Sequence, residues 1–285
     1  FMLSLNGYAA NDAAWMRYCA ISPDGQQIAF SYKGDIYTVG VNGGRANQIT
    51  TNPAHDTRPI WSPNGQQIAF ASDRLGGMDI YIVDKEGGIP TRITTHSGNE
   101  TPLAFKDNGH ILFQANILPA ADDMQFASAQ FPQVYEVSTS GGRPIMFSSM
   151  PMEDINFSAN GKTLLYHDKK GYEDAWRKHH TSSITRDIWM CTLDDERGYK
   201  KLSTFNGEDR NPVWASADTY YYLSEQNGTF NVFKANINGG NPTQITKHEK
   251  HPVRFLSRAN NGTLCYGYDG GIYTLKEGGQ PQKVN

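Results

Sequence analysis

The chain has 285 residues, of which 12% are aromatic and 28 are glycine, and its 26 basic and 29 acidic side chains give a formal net charge of −3. This balance holds no basic excess to attract nucleic acid or an anionic membrane surface, so no nucleic-acid partner is expected. No apolar run approaches the length of a transmembrane helix, and no membrane insertion is expected.

Residues 1–10 stand apart from everything that follows. An apolar stub leads into small residues at Ala9 and Ala10, a pattern typical of the end of a secretory signal. The alternative is an N-terminal strand that latches onto the rest of the fold. The first interpretation predicts a periplasmic or secreted protein.

A nine-residue segment sets the pattern of the chain. Residues 22–30 read Ser-Pro-Asp-Gly-Gln-Gln-Ile-Ala-Phe, and residues 62–70 repeat them 40 positions later with Asn in place of Asp. Ser-Pro-Asp/Asn-Gly is a turn sequence, because proline presets φ, Asp or Asn bonds to nearby backbone and glycine accepts positive φ. The Ile-Ala-Phe that follows is typical of a short buried strand. A near-copy at this distance predicts a repeat architecture.

Four fainter copies follow, so the chain holds six. The first apolar run of each copy ends on an aromatic residue, at positions 30, 70, 113, 166, 222 and 266. Each copy then carries a second apolar-aromatic pair, and five continue into a Gly-Gly turn before a last short strand; the fourth uses residues 194–198 instead. Four strands per unit at this period are typical of a propeller blade. The sequence therefore predicts an all-β fold, a six-bladed β-propeller of four-stranded antiparallel blades over residues 11–285.

The copies also predict how the ring closes. The expected blades are approximately residues 17–50, 57–94, 101–147, 153–203, 211–246 and 252–284. Each blade owns its four strands in chain order. Unless residues 1–10 pair with the ring, it closes only by packing blade 6 against blade 1.

Turn lengths distinguish the two ends of the propeller. The tight Pro-Asp-Gly and Gly-Gly turns belong to one face, and the turns between second and third strands share the opposite face with the connections between blades. That second face, which we call the long-loop face, is expected to carry long, charged loops, among them 52–58 and 206–211. Loops on a rigid scaffold are where binding usually resides. Arg58 and Arg210 are therefore candidate binding residues, and insertions at 116–132 and 168–186 are expected to touch on this face.

The blade-4 insertion contains a cluster of basic and aromatic residues that are candidate binding residues: Trp176, Arg177, Lys178, His179 and His180. Several cations beside an indole can hold a carboxylate, such as a peptide C-terminus or an acidic patch on another domain. In the alternative, these cations pair with Glu173 and Asp174 and only fix the insertion.

No catalytic signature is present. The chain lacks a Gly-x-Ser-x-Gly elbow, a His-Glu-x-x-His pair, a phosphate-cradling glycine loop and a dinucleotide fingerprint. No catalytic residue, metal ion or cofactor is therefore predicted. Adjacent histidines such as His179 and His180 rarely converge on one zinc ion.

Two recurring features have a functional and a structural interpretation. Asp35, Asp79 and Asp187 each precede a third strand, where they would bind calcium or make a local hydrogen bond; their recurrence favours the hydrogen bond. The three cysteines, at positions 19, 191 and 265, would form a disulfide, offer a reactive thiol or be small buried strand residues. Free cysteine is usually buried, which favours the last interpretation.

Segments of the repeat are similar to known families. The run 60–70, continuing to Asp79-Ile80-Tyr81 and Gly87-Gly88, resembles the WD40-like repeat of TolB-type propellers and of propellers attached to serine peptidases. Residues 15–25 and 176–189 resemble, more specifically, segments of tricorn-type proteases.

The resemblance implies a function. It implies a non-catalytic propeller domain of a secreted tricorn-like serine peptidase. This domain would gate or dock peptides or other domains of the same polypeptide on its long-loop face. Assembly into a homo-oligomer is a further possibility that the sequence does not decide. A prolyl-oligopeptidase-type propeller is a variant of this hypothesis. The alternative is a stand-alone TolB-like periplasmic protein-binding scaffold. TolB proteins carry an α/β domain before the propeller and the chain ends directly after its last strand, and both points favour the peptidase propeller.

Overall fold

The computed structural model describes residues 15–117, 131–172, 182–194 and 196–285. Within these ranges the chain forms six four-stranded antiparallel sheets whose strands follow one another in sequence order. The predicted six-bladed propeller is confirmed. None of the described residues forms a helix long and apolar enough to cross a bilayer.

The strands of the first three blades carry the clearest repeats. Blade 1 contains β1 (Arg17–Ile21), β2 (Gln27–Tyr32), β3 (Asp35–Gly40) and β4 (Asn47–Gln48). Blade 2 contains β5 (Asp56–Trp61), β6 (Gln67–Leu75), β7 (Gly77–Asp84) and β8 (Thr91–Arg92). Blade 3 contains β9 (Thr101–Asp107), β10 (His110–Ala115), β11 (Gln133–Ser138) and β12 (Ile145–Ser148).

The last three blades keep the same order. Blade 4 contains β13 (Met152–Phe157), β14 (Thr163–Asp168), β15 (Ile188–Thr192) and β16 (Tyr199–Lys201). Blade 5 contains β17 (Asp209–Trp214), β18 (Thr219–Ser224), β19 (Asn231–Asn236) and β20 (Thr243–Gln244). Blade 6 contains β21 (Arg254–Arg258), β22 (Leu264–Tyr268), β23 (Gly271–Leu275) and β24 (Gln282–Lys283).

The Ser-Pro-Asp-Gly segment forms its turn through local polar contacts. Ser22 Oγ donates a hydrogen bond to Asp24 Oδ1 at 2.6 Å, and the same carboxylate oxygen accepts from the Gln26 amide at 3.0 Å. Gly25 takes a φ of +73°, which a side chain would strain. Ser62 and Asn64 repeat the first contact at 2.7 Å in the next blade. The repeated letters are therefore a repeated turn.

Backbone hydrogen bonds join neighbouring blades near the start of five inner strands. The amide of Asp56 donates to Gly34 O at 2.7 Å, and the amide of Glu100 donates to Met78 O at 2.7 Å. Asp209 and Val253 make the corresponding bonds to the blades before them at 3.0 and 2.9 Å. These bonds fix the radial position of the inner strands that make them.

Blade 6 packs against blade 1 to close the ring. Ile272, Cys265 and Val284 of blade 6 share one buried cluster with Ile21 and Ile28 of blade 1. The Met16 amide donates to Gly270 O at 3.1 Å, at the position of the other inter-blade bonds. Among the described residues each sheet takes its four strands from one consecutive stretch, as predicted.

One prediction about the long-loop face is wrong in three blades. In blade 2 only Gly76 separates the second and third strands. In blades 1 and 6 the connection is only Lys33-Gly34 and Asp269-Gly270. All four residues take positive φ. This is the hairpin geometry whose twist matches that of the flanking strands, so two residues suffice.

The recurring aspartates bond to the fourth strand or its end in their own blade. Asp35 accepts from Gln48 Nε2 at 3.0 Å and from Thr50 Oγ1 at 3.2 Å, and Asp79 pairs with Arg92 at 2.9 Å. Asp187 lies 2.7 Å from the ammonium group of Lys201. A structural contact therefore accounts for the recurrence, although the partner lies on the fourth strand rather than in the local turn. In the described ranges no group of three potential ligand side chains could hold a metal ion.

The cysteines match the interpretation as small strand residues. All three are buried and free, Cys19 in β1, Cys191 in β15 and Cys265 in β22. Burial raises the pKa of the Cys191 and Cys265 thiols, which lowers their reactivity.

Candidate functional site

The innermost strands of the blades surround a central cavity of about 1050 Å³. Most of its lining comes from β1, β5, β9, β13, β17 and β21, the first strand of each blade. In an antiparallel blade of this order, the first strand starts at the face that carries the connections between blades. Residues near the start of these strands therefore lie at the long-loop end of the cavity.

Each inner strand contains a β-bulge close to that end. In β5 the pairing with β6 passes from Thr57 to Ile60, so that Arg58 and Pro59 have no partner in register. Corresponding breaks occur in the other five blades. A bulge bends the strand and redirects a side chain, and bulges are common next to functional sites.

Five of the bulges hold a non-glycine residue in the left-handed region, with φ between 47° and 58°. All five line the cavity, and we call them the bulge ring: Tyr18, Arg58, Asp154, Asn211 and Phe255. In blade 3 the register breaks at Leu103, which also lines the cavity. Side chains held in this strained conformation cluster at ligand sites, so the ring is the candidate functional site.

One part of the bulge ring is aromatic and basic. The Arg58 guanidinium lies 4.6 Å from the centre of the Tyr18 ring, and the Tyr18 and Phe255 ring centres are 4.9 Å apart. The side chain of Arg58 is exposed, and no carboxylate of the described residues pairs with it. This part of the ring therefore offers a positive charge supported by two aromatic faces.

The part of the bulge ring that blades 4 and 5 contribute carries a carboxylate and a side-chain amide. Asn211 Nδ2 donates a hydrogen bond to Asp154 Oδ2, whose side chain stays 40% exposed. His167 Nδ1 lies 3.4 Å from the same carboxylate oxygen and accepts a hydrogen bond from the backbone N–H of Asn211. A ligand that spans the ring would meet a carboxylate on one side and a guanidinium on another.

Buried ion pairs support this acidic part from behind. Arg186 bridges Glu153 at 3.0 Å and Glu208 at 2.9 Å, and Arg210 also pairs with Glu208. Burial would raise the pKa of Glu153, but its hydrogen bond with His167 and the nearby charges, including Arg186, hold that pKa well below the usual range. For Glu208 burial is likewise outweighed, and the two arginines lower its pKa. Both carboxylates are therefore charged and positioned.

The predicted binding residues lie in different environments. Arg58 belongs to the bulge ring, whereas Arg210 is only 8% exposed and takes part in the ion pairs behind it. Residues 176–180 lie outside the described residues, as do 118–130 of the blade-3 insertion and 173–181 of the blade-4 insertion, so carboxylate binding there stays a prediction.

Four members of the ring were missed by sequence reasoning, although a signal for them exists. Tyr18, Arg58 and Asp154 each lie four positions before the serine that opens the next turn, at Ser22, Ser62 and Ser158. The same offset places Asn211 and Phe255 before the corresponding alanines. An alignment of the six copies would have identified this position, because its residue type varies among the copies while the neighbouring positions repeat.

The chain is similar to a known protein family and to proteins that carry the same domain. Residues 13–280 match the family described as the tricorn protease N-terminal beta propeller domain. The chain is 22% identical over 266 residues to tricorn protease homolog 1 of Streptomyces coelicolor, covering 92% of this chain and 24% of that protein.

Two solved structures share the fold. The crystal structure of the tricorn protease matches with a TM-score of 0.79 and 17% identity, over 96% of this chain and 26% of that one. TolB from Acinetobacter baumannii matches with a TM-score of 0.65 and 15% identity, over 95% of this chain and 63% of that one.

This chain spans about a quarter of the length of the tricorn proteins that it matches. The family match, in contrast, covers nearly all of the six blades. The chain therefore belongs to the family of tricorn protease N-terminal beta propeller domains.

Proposed function

We propose that this chain is the non-catalytic propeller of a secreted tricorn-like serine peptidase, and that it gates or docks peptides at the long-loop end of its central cavity. The observation that carries the proposal is the bulge ring, which directs five side chains of contrasting chemistry into one opening. The relatives supply the peptidase context, and the ring supplies the place where a peptide would be held.

The chemistry of the ring suits a peptide chain. The side-chain amide of Asn211 can donate a hydrogen bond to a peptide C=O group. The carboxylate of Asp154 can accept one from a peptide N–H group or pair with a basic side chain. Arg58 attracts a carboxylate, and Tyr18 with Phe255 offers apolar surface. Six blades with buried cores keep these groups in place, which limits the ordering cost of binding.

The test replaces the exposed charge of the ring. Arg58→Asn removes the guanidinium but suits the left-handed backbone, which Asn tolerates. We expect affinity for fluorescein-labelled peptides, measured by fluorescence anisotropy, to fall roughly tenfold, because a charge-assisted contact is lost.

Arg45→Asn is the matched control. Arg45 is exposed in the third-to-fourth-strand turn of blade 1, on the opposite face, and has no acidic partner within the described ranges. The same change of charge there should leave affinity unaltered. If wild type and both variants bind the peptides with equal affinity, the bulge ring is not the peptide-binding site.

The context of the chain needs a separate measurement. The mass of the native gene product distinguishes a propeller domain from a stand-alone TolB-like scaffold, a candidate that rests on the likeness to TolB. A mass several times 31.7 kDa supports the peptidase propeller, and a mass near it supports the scaffold. Light scattering would test a homo-oligomer, and cell fractionation would test the periplasmic or secreted location.

A further inference from the structure

A second cavity lies beside the bulge ring, at the junction of blades 1 and 2. Its volume is about 530 Å³, within the range of small-molecule sites. It is bounded by the start of β1, the Lys33-Gly34 hairpin and the blade connection at His55, all at the long-loop face. We call it the blade 1–2 pocket. Tyr18 lines both this pocket and the central cavity.

The walls of the pocket are aromatic. Trp15, Tyr18 and Tyr32 all line it, and Trp15 is 72% exposed. The Arg17 guanidinium lies 5.7 Å from the Trp15 ring, and the Lys33 ammonium group lies 5.3 Å from the Tyr32 ring. Such pairs hold flat apolar faces next to positive charge.

The described lining of the pocket carries charge of one sign. Arg17, Lys33 and His55 line it, together with the hydroxyls of Ser31 and Thr57, and none of the lining residues that the structure describes is acidic. Lys33 has no acidic partner in the part of the chain that the structure describes. Because the whole chain is slightly acidic, a pocket with no carboxylate in its described lining departs from the average surface.

Backbone conformation marks the same place. Trp15, Tyr18 and Lys33 take φ values of 71°, 53° and 51°. The bulge accounts for Tyr18 and the tight hairpin for Lys33, whereas Trp15 belongs to no turn or bulge formed by the described residues. Strain of this kind in a bulky residue is typical of a ligand site.

We infer that the blade 1–2 pocket binds a carboxylate carried on an aromatic group. The ring would stack against Trp15 and Tyr32, and the carboxylate would lie near Lys33 and the hydroxyls. Phosphate groups are usually held by backbone amides at a helix N-terminus or a glycine-rich loop, and neither element occurs among the described residues that line the pocket. Two molecules could supply such a carboxylate. One is a peptide with an aromatic C-terminal residue, an interpretation that rests on the proposed function, and the other is a free aromatic acid.

Calorimetric titration of the intact protein tests the ligand class. N-acetyl-phenylalanine should bind at least tenfold more tightly than its amide, which keeps the ring and loses the charge. Equal affinity for the acid and the amide would overturn the inference, as would tighter binding of adenosine monophosphate. With 3-phenylpropionate as a third ligand, weaker binding points to a peptide source and equal binding to a free acid.

Two variants locate the site. Lys33→Asn removes the charge and suits the left-handed hairpin position, and we expect it to weaken binding of the acid roughly tenfold. The matched control is Lys162→Asn, an exposed lysine in a tight turn of the other face without an acidic partner among the described residues. If both variants bind the acid like wild type, the pocket is not the site.

The outcome is separable from that of the proposed function. Arg58→Asn tests peptide binding in the central cavity, whereas Lys33→Asn tests the blade 1–2 pocket. Loss of acid binding in Lys33→Asn with labelled peptides unaffected would support the pocket alone. Sensitivity of peptide binding to Arg58→Asn with no preference for acid over amide would overturn the pocket alone.

Discussion

At the scale of single residues, the buried carboxylates of this propeller fall into two groups. Glu153 and Glu208 are held by arginine and histidine, and their pKa values lie below the usual range. Glu100 and Asp209 are buried against hydroxyl groups, Glu100 against Thr94. Burial raises the pKa of both to about 7. The first group adds fixed charge, and the second titrates near neutral pH.

The second group predicts a pH dependence of stability. In the unfolded chain Glu100 has a pKa near 4.5, and burial in the folded chain raises it to about 7. Between these values the native state binds more protons, so the free energy of unfolding falls as pH rises and is level above both. We expect the free energy of unfolding to fall by on the order of 3 kcal/mol between pH 4.5 and pH 7 because of Glu100, at about 1.36 kcal/mol per pKa unit. Glu100→Gln should remove this part of the slope.

Guanidinium unfolding at pH values from 4.5 to 8 would measure the effect. Glu136→Gln serves as the control, because Glu136 pairs with Lys106 on a partly exposed surface. Its unfolding free energy should follow the wild-type pH curve. Parallel curves for wild type and Glu100→Gln would show that Glu100 does not titrate differently on folding.

At the scale of elements, the bulges predict a cost of backbone strain. Asp154 has a φ of 51°, and its side chain is 40% exposed in the cavity. Asp154→Gly and Asp154→Val both remove the carboxylate, but valine is poorly tolerated in the left-handed region. We expect Asp154→Val to unfold with a free energy about 1 kcal/mol lower than Asp154→Gly. Urea unfolding of the two variants measures the difference, and equal stabilities would mean that the bulge relaxes.

The same scale explains why the fold was predictable from the sequence. Ser22, Asp24 and Gly25 make their turn with bonds inside six residues, so the letters that repeat are those that form it. The aromatic ends of the strands repeat for the same reason, because each fills an equivalent place between blades. Local chemistry of this kind is visible in a single chain.

The candidate site was less predictable. Arg58 and Arg210 carry the same charge in equivalent-looking loops, yet one is exposed in the cavity and the other is buried against Glu208. Their positions depend on a register break and on the blade alongside, which are contacts between distant parts of the chain. Tyr18 was missed because its role depends on Arg58 and Phe255, neither of which is local to it.

At the scale of the whole molecule, the six junctions between blades differ in one respect. Five are crossed by the chain, whereas blades 1 and 6 meet through side-chain packing and hydrogen bonds such as Gly44 N to Asn285 O at 2.6 Å. Among the described residues no strand is shared across that junction. When it opens, no connection formed by the described residues limits the separation of the two blades, so reclosure carries a larger entropy cost.

The junction of blades 1 and 6 is therefore expected to open first. Ile272 is 1% exposed in its buried cluster, and Ile111 is fully buried in the cluster that joins blades 2 and 3. Both Ile→Ala changes should cost about 2–5 kcal/mol. Hydrogen exchange should rise in blades 1 and 6 together for Ile272→Ala, because loss of that packing frees both. For Ile111→Ala, where the chain still joins the two blades, exchange should rise only around the cavity that the change creates. The same pattern of exchange in both variants would mean that the ring opens as one cooperative unit, so that the lack of a chain connection has no effect on its stability.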